Sequence, residues 1–179
     1  MRLEGRWSFV GLENFVDMWS DHNFISAVQN TAVYSVFTLV PSLALGLVLA
    51  AVLNRNLRGL PFFRQAYYLP NVVSTVAAAV TWLWIFDPGN GFLNRILGMI
   101  GLPRPDWLYD PNTALPALIV VGVWKLLGYN MVIYLAGLQT IPAELYEAAA
   151  LDVIGGWRRH WHITLPLLLP TTLFVVVIN

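Results

Sequence analysis

The sequence contains no cysteine, which excludes a disulfide framework and any metal site built on thiolates. Charged residues are also scarce, at 11% of the 179 residues, whereas apolar types make up 58%. A typical soluble domain has about a quarter of its residues charged. Lys and Arg together number 10, as do Asp and Glu, so no excess of positive charge indicates a nucleic-acid partner.

Charge is absent from long continuous stretches of the chain. Such stretches cover residues 22–54, 65–86 and 160–179, and only Lys125 interrupts residues 111–143. Most are long enough for the roughly 20 apolar residues that cross a bilayer as a helix. Buried helices of a soluble core are the alternative, but they would need a much larger polar shell. We therefore predict an all-α, polytopic helical membrane protein.

These stretches predict four spans within a single transmembrane domain covering residues 1–179. The spans are expected at about residues 27–53, 65–86, 114–138 and 164–179. The first residues contain no apolar core like that of a signal peptide. The apolar run that ends at Asn179 has only about 16 residues, so we expect the fourth span to be truncated.

Short loops rich in arginine indicate the orientation of the chain. One follows the first span and the other precedes the fourth, and together they carry Arg55, Arg58, Arg64, Arg158 and Arg159. The positive-inside rule places both loops in the cytoplasm. The longer loop over residues 87–113 then lies outside.

Residues 141–163 are polar enough to leave the membrane and predict a helix–turn–helix at the cytoplasmic surface. Pro142 suits a first helical turn, and Glu144 favours the positive end of the helix dipole. The three alanines after Glu147 are the best helix formers, and a glycine pair beginning at Gly155 predicts a turn. The small alanine face suits close contact with another protein. An interfacial helix without a partner is the alternative that composition leaves open.

Glu147-Ala148-Ala149, followed by Ile163-Thr164-Leu165-Pro166, resembles the "EAA" signature of the permease subunits of binding-protein-dependent ABC importers. That signature is E-A-A, three residues, G, nine residues, then I-x-L-P. The spacing in this chain matches it. Val153 occupies the position of the glycine.

Other segments resemble the sugar-type group of these permeases, which includes the maltose and glycerol-3-phosphate permeases. They are residues 9–15, 69–74, 82–86 and 137–142. The resemblance implies part of a six-span permease fold in a bacterial or archaeal plasma membrane. The implied partners are a cytoplasmic ATPase dimer, a second permease subunit, an extracytoplasmic substrate-binding protein and a small-molecule substrate.

The resemblance also implies that the Glu147 helix is the coupling helix, seated in a cleft of the ATPase. The residues it assigns to this contact are Glu144, Glu147, Ala148, Ala149, Asp152, Val153, Gly155 and Arg158. No phosphate-cradling G-x-x-x-x-G-K-[ST] loop occurs in the sequence. ATP hydrolysis is therefore expected of the partner, and we expect neither enzymatic activity nor a cofactor or metal in this chain.

Lys125 lies near the centre of the third span, where a charge costs a few kcal/mol unless it faces water or a partner. It is expected either to face the translocation cavity or to pair with a neighbouring subunit. Tyr129, one turn further, shares its face, and Asn130 follows. An aromatic ring and an amide suit a sugar, so we predict Lys125, Tyr129 and Asn130 along the substrate pathway. Helix–helix hydrogen bonding is the alternative.

Three functions remain open from the sequence. The first is an ABC importer permease that forms a pathway for a sugar or related small solute. The second is a stand-alone secondary carrier or channel, which would need intramembrane acids or histidines for ion coupling. The third is a truncated remnant that does not transport.

Overall fold

The computed structural model describes residues 11–54, 59–151 and 156–179, with only the backbone described for 148–151 and 156–157. Every regular element in these ranges is helical, which confirms the predicted all-α class. In chain order the elements are α1 (Glu13–Ser20), α2 (His22–Leu53), α3 (Leu60–Val72), α4 (Thr75–Ile85), α5 (Phe92–Met99), α6 (Pro111–Gln139), α7 (Ala143–Leu151), α8 (Gly156–Arg159), a π-helical turn (His160–Thr164), α9 (Leu165–Leu167) and α10 (Leu169–Ile178).

Two helices are long and apolar enough to cross a membrane unbroken. They are α2, with 32 residues, and α6, with 29 residues. Two further spans are formed if each bent pair of helices counts as one: α3 with α4, bent by 97°, and the segment His160–Leu167 with α10, bent by 51°. The described part of the chain thus provides up to four spans, two continuous and two broken.

The sharp bend between α3 and α4 lies at two residues with extended backbone. Val73 has ψ 134° and Ser74 has ψ 136°, so neither continues the helix. Pro70 lies one turn earlier, where it removes a backbone N–H and its ring crowds the carbonyl of Ala66. Non-helical backbone at membrane depth is tolerated where protein or a polar cavity covers it. The sequence analysis predicted one span over residues 65–86, whereas the structure divides it here.

The two continuous helices, α2 and α6, pack against each other along a seam of small residues. A Cβ atom built on Gly46 would lie 2.9 Å from Cβ of Asn130, and one built on Gly122 would lie 2.7 Å from the hydroxyl of Tyr34. Gly128 allows a similarly close approach of the α3 backbone, 2.9 Å from Cα of Tyr68. Small residues are the usual means by which helices in lipid approach closely, because packing replaces the hydrophobic effect there.

The main apolar core lies at the end of this seam where α2 and α6 both end. Its buried residues come from α2, α6 and the residue between α9 and α10, and they are Ala50, Leu53, Met131, Tyr134, Leu135, Leu138 and Leu168. Leu60, the first residue of α3, and Ile141, which follows α6, pack against it. Both arginine-rich loops of the sequence analysis therefore leave the bundle at the same end, as the predicted orientation requires.

The opposite end is closed by a folded loop between α4 and α6. The side chain of Asn94 on α5 is 1% exposed and makes three hydrogen bonds. Its Nδ2 donates to the carbonyl oxygens of Pro88 and Pro105, both at 3.1 Å, and its Oδ1 accepts from Nε1 of Trp107 at 2.9 Å. A buried amide that satisfies all these groups fixes the loop as a defined surface rather than a loose connection.

The glycine seam gives the first prediction. Gly46→Val should destabilise the folded protein by about 1–3 kcal/mol, because its methyl groups would overlap Asn130 on α6 and force the helices apart. The measurement is thermal unfolding of the detergent-solubilised protein. The loss of the monodisperse elution peak after heating reports the unfolded fraction. Ala44→Val, which adds the same side chain at an exposed position of α2, is the control and should unfold like the wild type. Equal melting of the Gly46 variant and the wild type would contradict the seam.

Candidate functional site

A cavity of about 430 Å³ lies among α2, α3 and α6, near the midpoints of the two continuous spans. Its volume is in the range of pockets that hold small solutes. Polar side chains are concentrated on its wall although the surrounding helices are apolar. The lining residues are Tyr34, Ser35, Thr38, Leu39, Asn71, Gly122, Lys125, Leu126 and Asn179.

Lys125 is the charged residue among those that line this cavity, and its place on a substrate pathway stays a prediction. Its Nζ donates a short hydrogen bond to Oγ1 of Thr75, the first residue of α4. The lysine of one span therefore touches the break in another. Since Lys125 and Asn71 both line the cavity, the non-helical residues at the break lie beside it.

The α2 wall of the cavity depends on a close approach to Gly122. The missing side chain there leaves room for the hydroxyl of Tyr34 and for Thr38, whose Cγ2 would lie 2.8 Å from a Cβ at this position. Thr38 is 4% exposed, and its Oγ1 has no hydrogen-bond partner among the described residues. A buried hydroxyl in this condition costs free energy until it acquires a partner.

Next to the cavity, three spans are joined by a chain of polar side chains centred on the buried Asn130. Its Nδ2 donates to Oγ of Ser42 on α2 at 3.1 Å, and its Oδ1 accepts from Nδ2 of Asn179 at 2.9 Å. The hydroxyl of Ser42 in turn donates to the carbonyl of Leu39 at 2.9 Å. Asn130 is 0% exposed, so its amide is satisfied wholly within protein.

The three residues predicted along the pathway thus lie in different surroundings. Lys125 lines the cavity, and Tyr129 is half-buried one turn below it. The amide of Asn130 is occupied by Ser42 and Asn179, an arrangement that matches the alternative of helix–helix hydrogen bonding. Contact of Tyr129 or Asn130 with a substrate stays a prediction.

Helix α7, predicted to be cytoplasmic, begins after Pro142, whose carbonyl accepts from the N–H of Leu145 at 3.2 Å. Glu144, Leu145 and Glu147 are exposed on it, and Leu145 leaves 41% of its surface uncovered. Carboxylates beside an exposed apolar side chain offer both charge and area to another protein. The helix is held to the bundle on its other side by Tyr146, which is half-buried.

Tyr146 connects α7 to the last span. Its hydroxyl lies 3.2 Å from Oγ1 of Thr164, a residue 5% exposed at the end of the π-helical turn. That turn follows α8, and Nδ1 of His162 in the turn lies 2.8 Å from the carbonyl oxygen of Arg158 in α8. Single π-helical turns are frequent at functional sites. The contact between Tyr146 and Thr164 therefore links α7 to the segment that leads into α10.

The residues predicted for coupling are only partly described. Glu144 and Glu147 lie exposed on α7, and Arg158 lies exposed on α8. Ala148 and Ala149 belong to the backbone of α7. The remaining predicted residues, Asp152, Val153 and Gly155, lie outside the described residues.

Sequence reasoning did not identify Tyr34, Thr38 or Ser42, although their spacing carries a signal. These residues recur at every fourth position of α2, and Gly46 and Ala50 continue the series. Positions four apart form one ridge on a helix, so polar and small residues in this register mark a face that avoids lipid. The partner ridge on α6 runs through Gly122, Leu126, Asn130, Tyr134 and Leu138.

The chain matches a family model and is similar to curated permease proteins. The family model described as binding-protein-dependent transport system inner membrane component matches residues 22–179. The sn-glycerol-3-phosphate transport system permease protein UgpA of Agrobacterium fabrum is 40% identical over 172 residues, which are 96% of this chain and 58% of that protein. The probable ABC transporter permease protein YurN of Bacillus subtilis is 40% identical over 163 residues, covering 89% of this chain and 56% of that protein.

Solved structures agree with the sequence matches. A chain of the bacterial alginate ABC transporter, in complex with an alginate pentasaccharide-bound periplasmic protein, superposes with a TM-score of 0.84 at 30% identity. The superposition covers 94% of this chain and 59% of that chain. The chain thus spans a little under three-fifths of the length of the curated relatives it matches. The resemblance drawn from the EAA signature is confirmed at the level of the family.

The amide chain around Asn130 gives the second prediction. Asn130→Leu keeps the volume but leaves Ser42 and Asn179 without their shared partner, and should cost about 0.6–2 kcal/mol of stability. The measurement is thermal unfolding of Asn130→Leu, Ser42→Ala and the double variant. Because the two side chains share a bond, the double variant should lose less than the sum of the single losses. Strict additivity would mean that the bond contributes nothing.

Proposed function

Because the chain belongs to the family of inner membrane components of binding-protein-dependent transport systems, we propose that it forms part of the translocation pathway of an ABC importer for a sugar or related small solute. The observation that carries the proposal is the polar cavity near the midpoints of the spans. Hydroxyl and amide groups in an apolar bundle suit a polyhydroxylated solute, since each can exchange a hydrogen bond with it. The names of the relatives, which include glycerol-3-phosphate permeases and an alginate importer, support this solute class.

The cytoplasmic end of the chain provides the proposed contact with a partner ATPase. Helix α7 presents Glu144, Leu145 and Glu147 outward, while Tyr146 fastens it to the last span. We assign the contact surface to this face, continued by Ala148 and Ala149 and by Asp152, Val153, Gly155 and Arg158 of the EAA signature. Closure of the ATPase dimer would displace α7 and, through Tyr146, the segment leading into α10. ATP hydrolysis belongs to that partner.

The outer end provides the proposed contact with a substrate-binding protein. The loop between α4 and α6 is fixed from within by Asn94 and presents exposed apolar side chains, among them Phe92, Met99 and Ile100. A rigid surface loses little entropy on association, which favours docking of a large partner. A second permease subunit would complete the cavity wall that faces away from α2 and α6. Membership of this family supports an importer over a stand-alone carrier.

The coupling assignment gives the third prediction. Glu147→Lys in the assembled transporter should lower substrate uptake and binding-protein-stimulated ATP hydrolysis by at least roughly tenfold, because it reverses a charge on the contact face. The amount of protein in the membrane should not change, since Glu147 is exposed and outside the bundle.

Gln139→Lys provides the matched control for this variant. It adds a lysine at an exposed position on the same side of the membrane, at the end of α6 rather than on α7. Uptake close to that of the wild type is expected for it. Normal uptake by the Glu147 variant, or equal loss in both variants, would remove the coupling role from α7.

A further inference from the structure

The charge on Lys125 has no acidic partner within the membrane helices of this chain. The sequences of α2, α3, α4, α6, α9 and α10 contain neither Asp nor Glu. The hydrogen bond from Lys125 to Thr75 goes to a neutral hydroxyl, which solvates the ammonium group but does not neutralise it. Ionisable residues at this depth of a membrane protein mark ion or substrate pathways and are stabilised by a partner of opposite charge.

A second positive potential converges on the same place. Helix α4 begins at Thr75, and its N-cap residue Ser74 makes no side-chain hydrogen bond to the first turn. The N–H groups of a first helical turn have no partners within the helix, and the helix dipole adds partial positive charge there. Broken helices in transporters direct such half-helix ends at anionic groups of the solute. The bond between Thr75 and Lys125 brings both sources of positive potential to the cavity.

The remaining wall of the cavity is uncharged and combines polar side chains with the apolar Leu39 and Leu126. Tyr34, Ser35, Thr38 and Asn71 contribute hydroxyl and amide groups. Thr38 is only 4% exposed, and its hydroxyl is without a partner in the described part of the chain. The wall combines one positive pole with several neutral hydrogen-bonding groups.

We propose that this cavity is an anion-selective subsite, which binds a polyhydroxylated solute through one carboxylate or phosphate at Lys125 and the N-terminus of α4. The hydroxyl groups of the solute lie against Tyr34, Ser35 and Asn71. This inference rests on the proposed function, since it assumes that solutes pass through the cavity. It adds that selection for charge occurs in the membrane subunit itself, in addition to any selection by the binding protein.

The test compares anions with their neutral counterparts on the assembled transporter without its binding protein, so that only the membrane subsite is measured. The probes are glucuronate against glucose, and glycerol 3-phosphate against glycerol. In the wild type the anion of at least one pair should bind about tenfold more tightly or better, as expected for a hydrogen bond to a charged group. This preference should decline as salt is raised.

Substitutions at Lys125 separate its charge from its shape. Lys125→Gln should reduce the anion preference to about one, whereas Lys125→Arg should retain most of it. If Lys125→Gln does not assemble, the preference and salt dependence of the wild type decide the question alone. Equal binding of anion and neutral solute by the wild type would overturn the proposal, and so would an unchanged preference in an assembled Lys125→Gln variant.

A separate measurement distinguishes failure of this inference from failure of the proposed function. Binding-protein-dependent ATP hydrolysis by the wild-type complex reports on the importer itself and does not require charge selection. Activity without anion preference means that only the subsite is wrong. Absence of that activity means that the importer assignment fails, whatever the solute preference.

Discussion

The structure depends on the packing of α2 against α6. No ion pair joins α2 to α6, because α2 contains no Lys, Arg, Asp or Glu. The seam is therefore held by close contact and by a few buried hydrogen bonds. Gly46 brings the helices together at Asn130, and the Asn130 amide then spans the gap to Ser42. In lipid, where apolar surface gains little by turning inward, such contacts are what makes one arrangement preferable to others. The cavity lies beside the same seam, next to the close approach of Gly122 to Tyr34 and Thr38.

Backbone groups that lie at membrane depth but outside a regular helix need hydrogen-bond partners other than lipid. The break between α3 and α4 meets this requirement by placing two extended residues beside a hydrogen-bonding wall instead of against lipid. Lys125 reaches the break through Thr75 and so connects the unbroken span to the broken one. The hydrogen bond between Lys125 and Thr75 therefore offsets part of two free-energy costs at one location, that of a charge in the membrane and that of a broken helix.

Much of this architecture could be predicted from the sequence. The charge-free stretches located the spans, because the bilayer imposes a minimum apolar length on any helix that crosses it. Lys125 was identified because a charge inside such a stretch is conspicuous. The break at Val73 and Ser74 was not predicted, since Pro70 and β-branched residues are compatible with a merely kinked helix in lipid. The burial of Asn130 depended on which neighbours approach it, and a pattern within one helix does not contain that information.

A series of close contacts connects α7 to the cavity. Tyr146 joins α7 to Thr164, and a Cβ on Gly137 would lie 2.7 Å from Oγ1 of Thr171, so α6 and α10 are close-packed just above. Packed helices move as units because tight interfaces do not deform continuously. Asn179, which follows α10, lines the cavity and bonds to Asn130, so contacts run from α7 through α10 to the cavity wall. Under the proposed coupling, motion of the last span relative to the α2–α6 seam would act on the hydrogen bond between these two asparagines. The same motion would shift Asn179 in the wall of the cavity that also contains Lys125.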